Sequence, residues 1–197
     1  MEQTSFYGLP LLTAPGRVMT PRAATERLVA VASERIGERA ARVADVGTGS
    51  GAIAVALAVA APRAEIWAVD SNPAAVLLAR ANARRFCVGQ RVHAVTGDLL
   101  EPAPTGLDLV VANLPYLPLD ERGADPDLSG EPEDAVFAPG DGLGPYRRLL
   151  RDADAKLTPS GAVVIQFRRR ILVAERAELA ALRARLEDVA GPLQAVA

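Results

Sequence analysis

The stretch RVADVGTGSGAIAVALA, residues 42–58, joins a short apolar strand to an alanine-rich helix through three glycines. Gly47, Gly49 and Gly51 predict a tight turn that brings a ligand against backbone amides at a helix N-terminus. The next strand along the chain ends in Asp70, a carboxylate placed to accept both hydroxyls of a ribose. This arrangement predicts a nucleoside-containing cofactor at the edge of a parallel sheet.

The rest of the chain alternates short apolar strands with helices, which is typical of a Rossmann-like α/β fold. Such a fold has a doubly wound, mostly parallel sheet with helices on both faces. Strands are predicted at 42–46, 65–69, 91–95, 107–111 and 162–167, and helices at 21–39, 50–61, 73–85, 145–156 and 171–188. Segment 113–144 shows neither the periodicity of a helix nor that of a strand, and it is predicted to be a long functional loop. The final residues, 192–197, are expected to add a short strand.

The length of 197 residues fits one domain, with residues 1–40 packed as an N-terminal segment and helix on a catalytic unit spanning 41–197. No apolar run reaches the roughly 20 residues that cross a bilayer, and no secretory signal is visible. A cytoplasmic protein without membrane attachment is therefore expected. The net charge of −2 gives no global basic field for nucleic acid. Cys87 and His93 are the only residues of their types, so no metal site is expected.

Two cofactors fit the glycine turn. With Ala52 as a third small residue, the turn also matches a nicotinamide-dinucleotide fingerprint. Asp45 favours S-adenosylmethionine, because its charge would repel a pyrophosphate and attract an ammonium group. Asp98 and Leu99, after the third strand, offer an acceptor for an adenine amino group and an apolar flank for its ring. A turn that only tightens packing is the alternative without function.

The stretch VVANLPYLP, residues 110–118, places Asn113 at the end of the fourth strand, on the same edge of the sheet. Its side-chain oxygen and a nearby backbone carbonyl can accept both hydrogens of a planar NH2 group, on which Tyr116 can stack. An amide or aromatic-amine nitrogen is a poor nucleophile, because its lone pair is delocalised. Orientation and electrostatics would then carry methyl transfer to it. The alternative is that residues 113–116 form only a structural turn after the strand and bind no ligand.

These motifs together resemble the protein-(glutamine-N5) methyltransferases that modify peptide-chain release factors, which are class I S-adenosylmethionine-dependent enzymes. Segments 6–29, 41–58, 110–118 and 131–150 carry the resemblance. The last of them, EPEDAVFAPGDGLGPYRRLL, is the most specific to the family. Where the family has Asn-Pro-Pro-Tyr, this chain has Leu114 in place of the first proline.

The resemblance implies which residues form the site. The S-adenosylmethionine site would comprise Gly47, Thr48, Gly49, Ser50, Gly51, Asp70, Asp98, Leu99 and Asn113. Asn113, Leu114, Pro115 and Tyr116 would grip the glutamine amide, with Leu114 acting through its backbone carbonyl.

This sequence also departs from the family pattern in places, and these differences leave the identity of the methyl acceptor open. The resemblance begins at Phe6, so a shortened member without the family's N-terminal helical domain is expected. Gln166 and the arginines up to Arg170 replace the usual acidic residue and glycine after the fifth strand. A release factor is the expected partner, with an exocyclic amine in RNA or DNA, or a catalytically silent partner module, as alternatives. A monomer or weak dimer is expected.

Overall fold

The computed structural model describes residues 2–190, so the short strand expected at 192–197 lies outside the described residues. The strands are β1 (Glu2–Phe6), β2 (Leu9–Thr13), β3 (Arg42–Val46), β4 (Glu65–Asp70), β5 (Val92–Thr96), β6 (Leu107–Ala112), β7 (Leu117–Pro118), β8 (Phe137–Ala138), β9 (Leu157–Phe167) and β10 (Arg170–Glu175). The helices are α1 (Glu26–Ile36), α2 (Ala52–Ala60), α3 (Pro73–Arg85), α4 (Glu133–Val136), α5 (Gly144–Lys156) and α6 (Leu179–Ala190).

Six strands form the central sheet, in the order β10-β9-β6-β3-β4-β5. All pairings in it are parallel except that of β10 with β9. The chain runs outward from β3 through β4 to β5 and then returns to β6 on the other side of β3. This change of direction makes the carboxyl edge between β3 and β6 the switch point, where open α/β sheets bind ligands. The predicted doubly wound fold is confirmed.

Helices cover both faces of the sheet because successive strand residues point to opposite sides. Val43, Leu109 and Val164 pack in one buried cluster with α1, α2 and α3. Ala44 and Val110 pack in a second cluster with α5 and α6. Apolar residues on both faces explain why the parallel strands read as continuous hydrophobic runs in the sequence.

The N-terminal region differs from the predicted helix over 21–39. Residues 2–13 form the antiparallel hairpin of β1 and β2, a 3-10 turn covers Ala23–Thr25, and α1 begins only at Glu26. Gly37, with a φ of 58°, ends the helix because glycine adopts this left-handed conformation without a steric cost.

Asn82 ties the N-terminal hairpin to the glycine turn. Its fully buried side chain accepts the Leu12 N–H at 2.8 Å and donates to the carbonyls of Leu12 at 3.0 Å and Ser50 at 2.8 Å. Since buried amides must be paired, these three bonds fix the hairpin against α3 and the turn.

The helix predicted over 171–188 is wrong in its first half. Residues 170–175 form β10, which pairs with β9, and α6 begins only at Leu179. The run ILVA at 171–174 is apolar and has a high β-propensity. It therefore pairs as a strand, although a helix was predicted to begin at this point, directly after the arginines. A capping box opens the 3-10 turn Arg176–Glu178 that leads into α6, and in it the Glu175 N–H donates to the Glu178 side chain at 3.2 Å.

Segment 113–144 contains short elements that the sequence did not predict. β7 pairs with β8 in parallel, α4 precedes β8, and 3-10 turns cover Leu119–Glu121 and Pro126–Leu128. The other predicted elements are present, with ends that differ by at most five residues. Within residues 2–190 no helix is long and apolar enough to cross a bilayer, and no cluster of potential metal ligands is found.

Candidate functional site

Strand register brings the predicted site residues to one edge of the sheet. Val46 at the end of β3 pairs with Val69 in β4 and with Ala112 in β6. Gly47, Asp70 and Asn113, which follow these residues, therefore lie side by side. Ile165 in β9 pairs with Ala112, so Gln166 stands next to Asn113 on its other side.

A cavity of about 230 Å³, here called cavity A, opens above this edge. Its walls include Gly47, Gly49, Asp70, Asp98, Leu99, Asn113, Leu114 and Pro115. Most of the predicted cofactor residues thus share one space. The walls also include Arg17–Met19 from the N-terminal segment and Pro132, Asp134 and Ala135 from the long loop, which the sequence did not assign to the site.

The glycine turn is held by bonds inside the protein. The N–H groups of Gly47 and Thr48 donate to the Val69 carbonyl, and the Gly49 N–H donates to the Asp70 carboxylate at 2.8 Å. These three amides lie before α2, which begins at Ala52, and none of them is free to bind a ligand.

Asp70 lines cavity A, and each of its oxygens accepts one backbone N–H. Oδ1 takes the Asn72 N–H at 2.9 Å, and Oδ2 takes that of Gly49. A carboxylate has further lone pairs, so the hydroxyls of a bound ribose can still donate to it. Burial raises the pKa of Asp70, the two hydrogen bonds lower it, and the nearby charge of Asp134 raises it further.

Asp45 does not lie on the wall of cavity A, although the sequence suggested direct contact with an ammonium group. It is fully buried beneath the turn, where Oδ2 accepts from the Thr48 hydroxyl at 2.6 Å and the Ala54 N–H at 3.0 Å. Burial raises the pKa of Asp45 to about 7, although both hydrogen bonds lower it. In the structure its contacts hold the turn onto the start of α2.

Thr48, Ser50 and Gly51 occupy other positions around the turn. Thr48 and Ser50 border a smaller cavity of about 60 Å³ on the side of the N-terminal segment. Gly51 caps α2 with a φ of 80°, and a Cβ there would lie 2.8 Å from Ala79. Gly51 is therefore needed for the close packing of α2 on α3.

Asp98 and Leu99 line the far end of cavity A. The Asp98 carboxylate forms an ion pair with Arg148 of α5, and both side chains are about half exposed. Leu99 has a positive φ of 47°. The predicted acceptor and apolar flank for an adenine ring are thus adjacent, and Arg148 is a neighbour that the sequence did not indicate.

A second cavity of about 280 Å³, here called cavity B, adjoins cavity A. Asn113, Leu114 and Pro115 line both cavities, together with Met19 and Ala135. Tyr116 lines only cavity B, with Thr25, Gln166 and Arg168 nearby. The Asn-Leu-Pro-Tyr segment therefore forms the boundary between two spaces that each suit a small ligand.

The Asn113 side chain is held by the N-terminal segment. Its Nδ2 donates to the hydroxyl of the buried Thr25 at 3.3 Å. Its Oδ1 accepts no hydrogen bond from any residue between 2 and 190. An amide oxygen fixed in this way at the boundary of two cavities can accept an N–H from a ligand.

The Leu114 backbone is bound to Tyr146, a residue that sequence reasoning missed. The Leu114 N–H donates to the Tyr146 hydroxyl oxygen at 3.0 Å, and the Leu114 carbonyl lies 3.1 Å from the same oxygen. The Leu114 side chain fills the space beside Gly47, where a Cβ would lie 2.8 Å from Leu114 Cδ2. The turn and the acceptor segment are thus in direct contact.

Tyr116 is half-buried and packs on Phe167, with ring centroids 5.2 Å apart. Burial raises the pKa of Tyr116, so its hydroxyl is neutral near pH 7. Gly142 approaches its backbone closely, because a Cβ at Gly142 would lie 2.1 Å from the Tyr116 carbonyl oxygen. The Gly-Asp-Gly-Leu stretch of the sequence therefore serves to press the loop against the acceptor segment.

Comparison with known families agrees with this geometry. Residues 22–122, more than half of the chain, match the family model described as the methyltransferase small domain. The matched region contains the glycine turn, Asp70, Asp98 and the Asn113–Tyr116 segment.

Curated relatives are similar over most of this chain. The release factor glutamine methyltransferase of Deinococcus radiodurans is 41% identical over 163 residues, which cover 82% of this chain and 58% of the relative. That of Gloeobacter violaceus is 42% identical over 153 residues, which cover 76% and 54%. The chain thus spans a little over half the length of these relatives.

Solved structures support the fold alone, because their sequence identities are low. A precorrin 8W decarboxylase of Methanobacterium thermoautotrophicum has a TM-score of 0.55 at 22% identity, covering 87% of this chain and 74% of that one. A ribosomal protein L11 methylase of Lactobacillus delbrueckii subsp. bulgaricus has a TM-score of 0.53 at 21% identity, covering 88% and 72%.

Proposed function

Because this chain belongs to the methyltransferase small-domain family, we propose that it methylates the side-chain amide nitrogen of a protein glutamine. The methyl donor is S-adenosylmethionine, and the acceptor protein is a peptide-chain release factor in the cytoplasm. The observation that carries the proposal is the boundary formed by Asn113, Leu114 and Pro115 between cavities A and B. Cavity A would hold the methyl donor and cavity B the acceptor amide, so that the methyl group would pass between the two cavities.

Cavity A fits S-adenosylmethionine by its chemistry. Asp70 accepts the ribose hydroxyls, and Asp98 and Leu99 flank the adenine. Asp134 adds negative charge to the wall, which favours a ligand that carries a sulfonium and an ammonium group. When bound, this cofactor supplies an electrophilic methyl group with a neutral thioether as leaving group.

Cavity B fits a glutamine amide. Asn113 Oδ1 and the Leu114 carbonyl accept the two amide hydrogens, which increases electron density on nitrogen and fixes the direction of its lone pair. Tyr116 supplies the flat face on which the amide rests. With S-adenosylmethionine in cavity A, the nitrogen would bond to the methyl carbon as the carbon–sulfur bond breaks, and it would then lose one proton to water. The protein contributes orientation and electrostatics.

The charge of the loop 120–134, which borders cavity B, favours a protein acceptor over a nucleic acid. Seven of the fifteen residues from 120 to 134 are acidic and only Arg122 is basic. Cavity B itself is lined by charges of both signs, Glu121 and Asp125 on one hand and Arg22, Arg168 and Arg169 on the other. The acidic loop would repel a phosphate backbone, since nucleic-acid binding depends on neutralising phosphates with lysine and arginine.

The relatives named release factor glutamine methyltransferase support a release factor as acceptor. The test is a transfer assay with methyl-labelled S-adenosylmethionine, in which a purified bacterial release factor and total RNA compete in one reaction. Label in the release factor, assigned to a glutamine by mass spectrometry, is the expected result. Label in RNA alone, or in neither acceptor, would refute the proposal.

A further inference from the structure

Tyr146 lies in the first turn of α5 and is completely buried. Its ring packs edge-on against Phe167, with centroids 5.7 Å apart. It lines neither cavity A nor cavity B, so it is not placed to touch a ligand. Its hydroxyl nevertheless contacts the acceptor segment, because it bonds the backbone of Leu114.

The Tyr146 hydroxyl has more partners than it has protons. It accepts the Leu114 N–H at 3.0 Å, and it lies 2.5 Å from the Gln166 carbonyl and 3.1 Å from the Leu114 carbonyl. A hydroxyl has a single proton, so only one of the two carbonyls receives a full hydrogen bond at a time. The shorter distance favours Gln166.

We propose that Tyr146 is a positioning residue for methyl transfer, which holds the Leu114 peptide group so that its carbonyl can accept an N–H of the acceptor amide. This inference rests on the proposed function. In the structure the Leu114 carbonyl has a second, longer contact with the Tyr146 hydroxyl, whose proton lies closer to Gln166. When the acceptor binds, its amide hydrogen replaces that contact, and the Tyr146 proton moves fully to Gln166.

The residue type fits this task. A backbone N–H in the same place would stay bonded to the Leu114 carbonyl and compete with the acceptor, whereas a hydroxyl can turn to Gln166. Burial raises the pKa of Tyr146 far above its usual value, so the group remains a neutral donor. The accepted Leu114 N–H fixes the peptide plane in both states.

The first test compares Tyr146→Phe with Leu150→Val, which trims a buried side chain one turn later in the same helix and core. For Tyr146→Phe, kcat with the release factor should fall about 10²-fold, since a misplaced reacting group costs about this much. Its Kd for S-adenosylmethionine should stay close to that of the wild type. Leu150→Val should lower the melting temperature and keep kcat when assayed well below it.

A double variant separates positioning from general destabilisation. Asn113 is proposed to bind the acceptor NH2 group directly, and Tyr146 to act on it through the Leu114 carbonyl. The double variant Tyr146→Phe with Asn113→Ala should therefore lose less kcat than the product of the two single losses. A Tyr146→Phe variant with the kcat of Leu150→Val, or strictly multiplicative losses, would overturn the inference. A wild type that labels no release factor would instead refute the proposed function, and the inference with it.

The wild type offers a readout that does not depend on a variant folding. The proton of a buried hydroxyl exchanges slowly, so the Tyr146 signal should be visible by NMR with S-adenosylhomocysteine bound. Adding the release factor should move this signal downfield, because the proton is then held by Gln166 alone. An unchanged signal in a complex that has formed would contradict the exchange of partners.

Discussion

Replacing Asp45 by asparagine should remove a pH dependence of stability that is built into the glycine turn. The carboxyl group is fully buried, and its Oδ1 has no hydrogen-bond partner among residues 2–190. Burial is the main cause that raises the pKa of Asp45 from 3.8 to about 7, ahead of the opposing hydrogen bonds from Thr48 and Ala54. The folded protein therefore holds a proton that the unfolded chain has already lost.

The sign and size of the effect follow from this difference. Between about pH 4 and pH 7 the folded state binds more protons at this site, so the free energy of unfolding falls as the pH rises. A pKa raised from 3.8 to about 7 corresponds to a loss of roughly 4 kcal/mol across that window. Above the window the contribution is constant.

Urea unfolding from about pH 4.5 to pH 8.5 measures this effect. The free energy of unfolding of the wild type should decline, relative to that of Asp45→Asn, by a few kcal/mol over this range. The exposed Asp120→Asn serves as the control and should run parallel to the wild type. If Asp45→Asn also runs parallel to the wild type, Asp45 is ionised in the folded protein and the reasoning fails.

Two further substitutions test other parts of the site. Gly142→Ala should lose about 2–4 kcal/mol of stability and most methyl transfer, because its Cβ would lie 2.1 Å from the Tyr116 carbonyl oxygen at a φ of 80°. Gly140→Ala has a similar φ of 67° and open space, so it should cost only about 1 kcal/mol in urea unfolding; equal losses would contradict the contact. Asp70→Asn should raise the Kd for S-adenosylmethionine by about 10- to 100-fold in calorimetry, as expected for a lost charged hydrogen bond. An unchanged Kd would remove Asp70 from the cofactor site.

The sheet and one edge of the site could be predicted because local signals determine them. Each parallel strand is an apolar run, and residues that follow such strands must meet at the carboxyl edge. This rule was sufficient to place Gly47, Asp70 and Asn113 together. The placement of Asp45 needed more information, because periodicity does not tell a carboxylate beneath a turn from one on its surface.

The remaining features depend on contacts between distant parts of the chain. Tyr146 and Thr25 reach the acceptor segment across 32 and 88 residues, and no local pattern indicates such contacts. β10 likewise depends on pairing with β9, which overrode the helix predicted over residues 171–175. β7 and β8 form for the same reason, since each is a strand only through its pairing with the other.

The central claim is that Asn113 orients the acceptor nitrogen at the place where cavities A and B meet. Single-turnover methyl transfer by Asn113→Ala, preloaded with labelled S-adenosylmethionine and mixed with the release factor, tests it most directly. The rate should fall by about 10²- to 10³-fold while the Kd of the cofactor stays near the wild-type value. Transfer at the wild-type rate would contradict the claim.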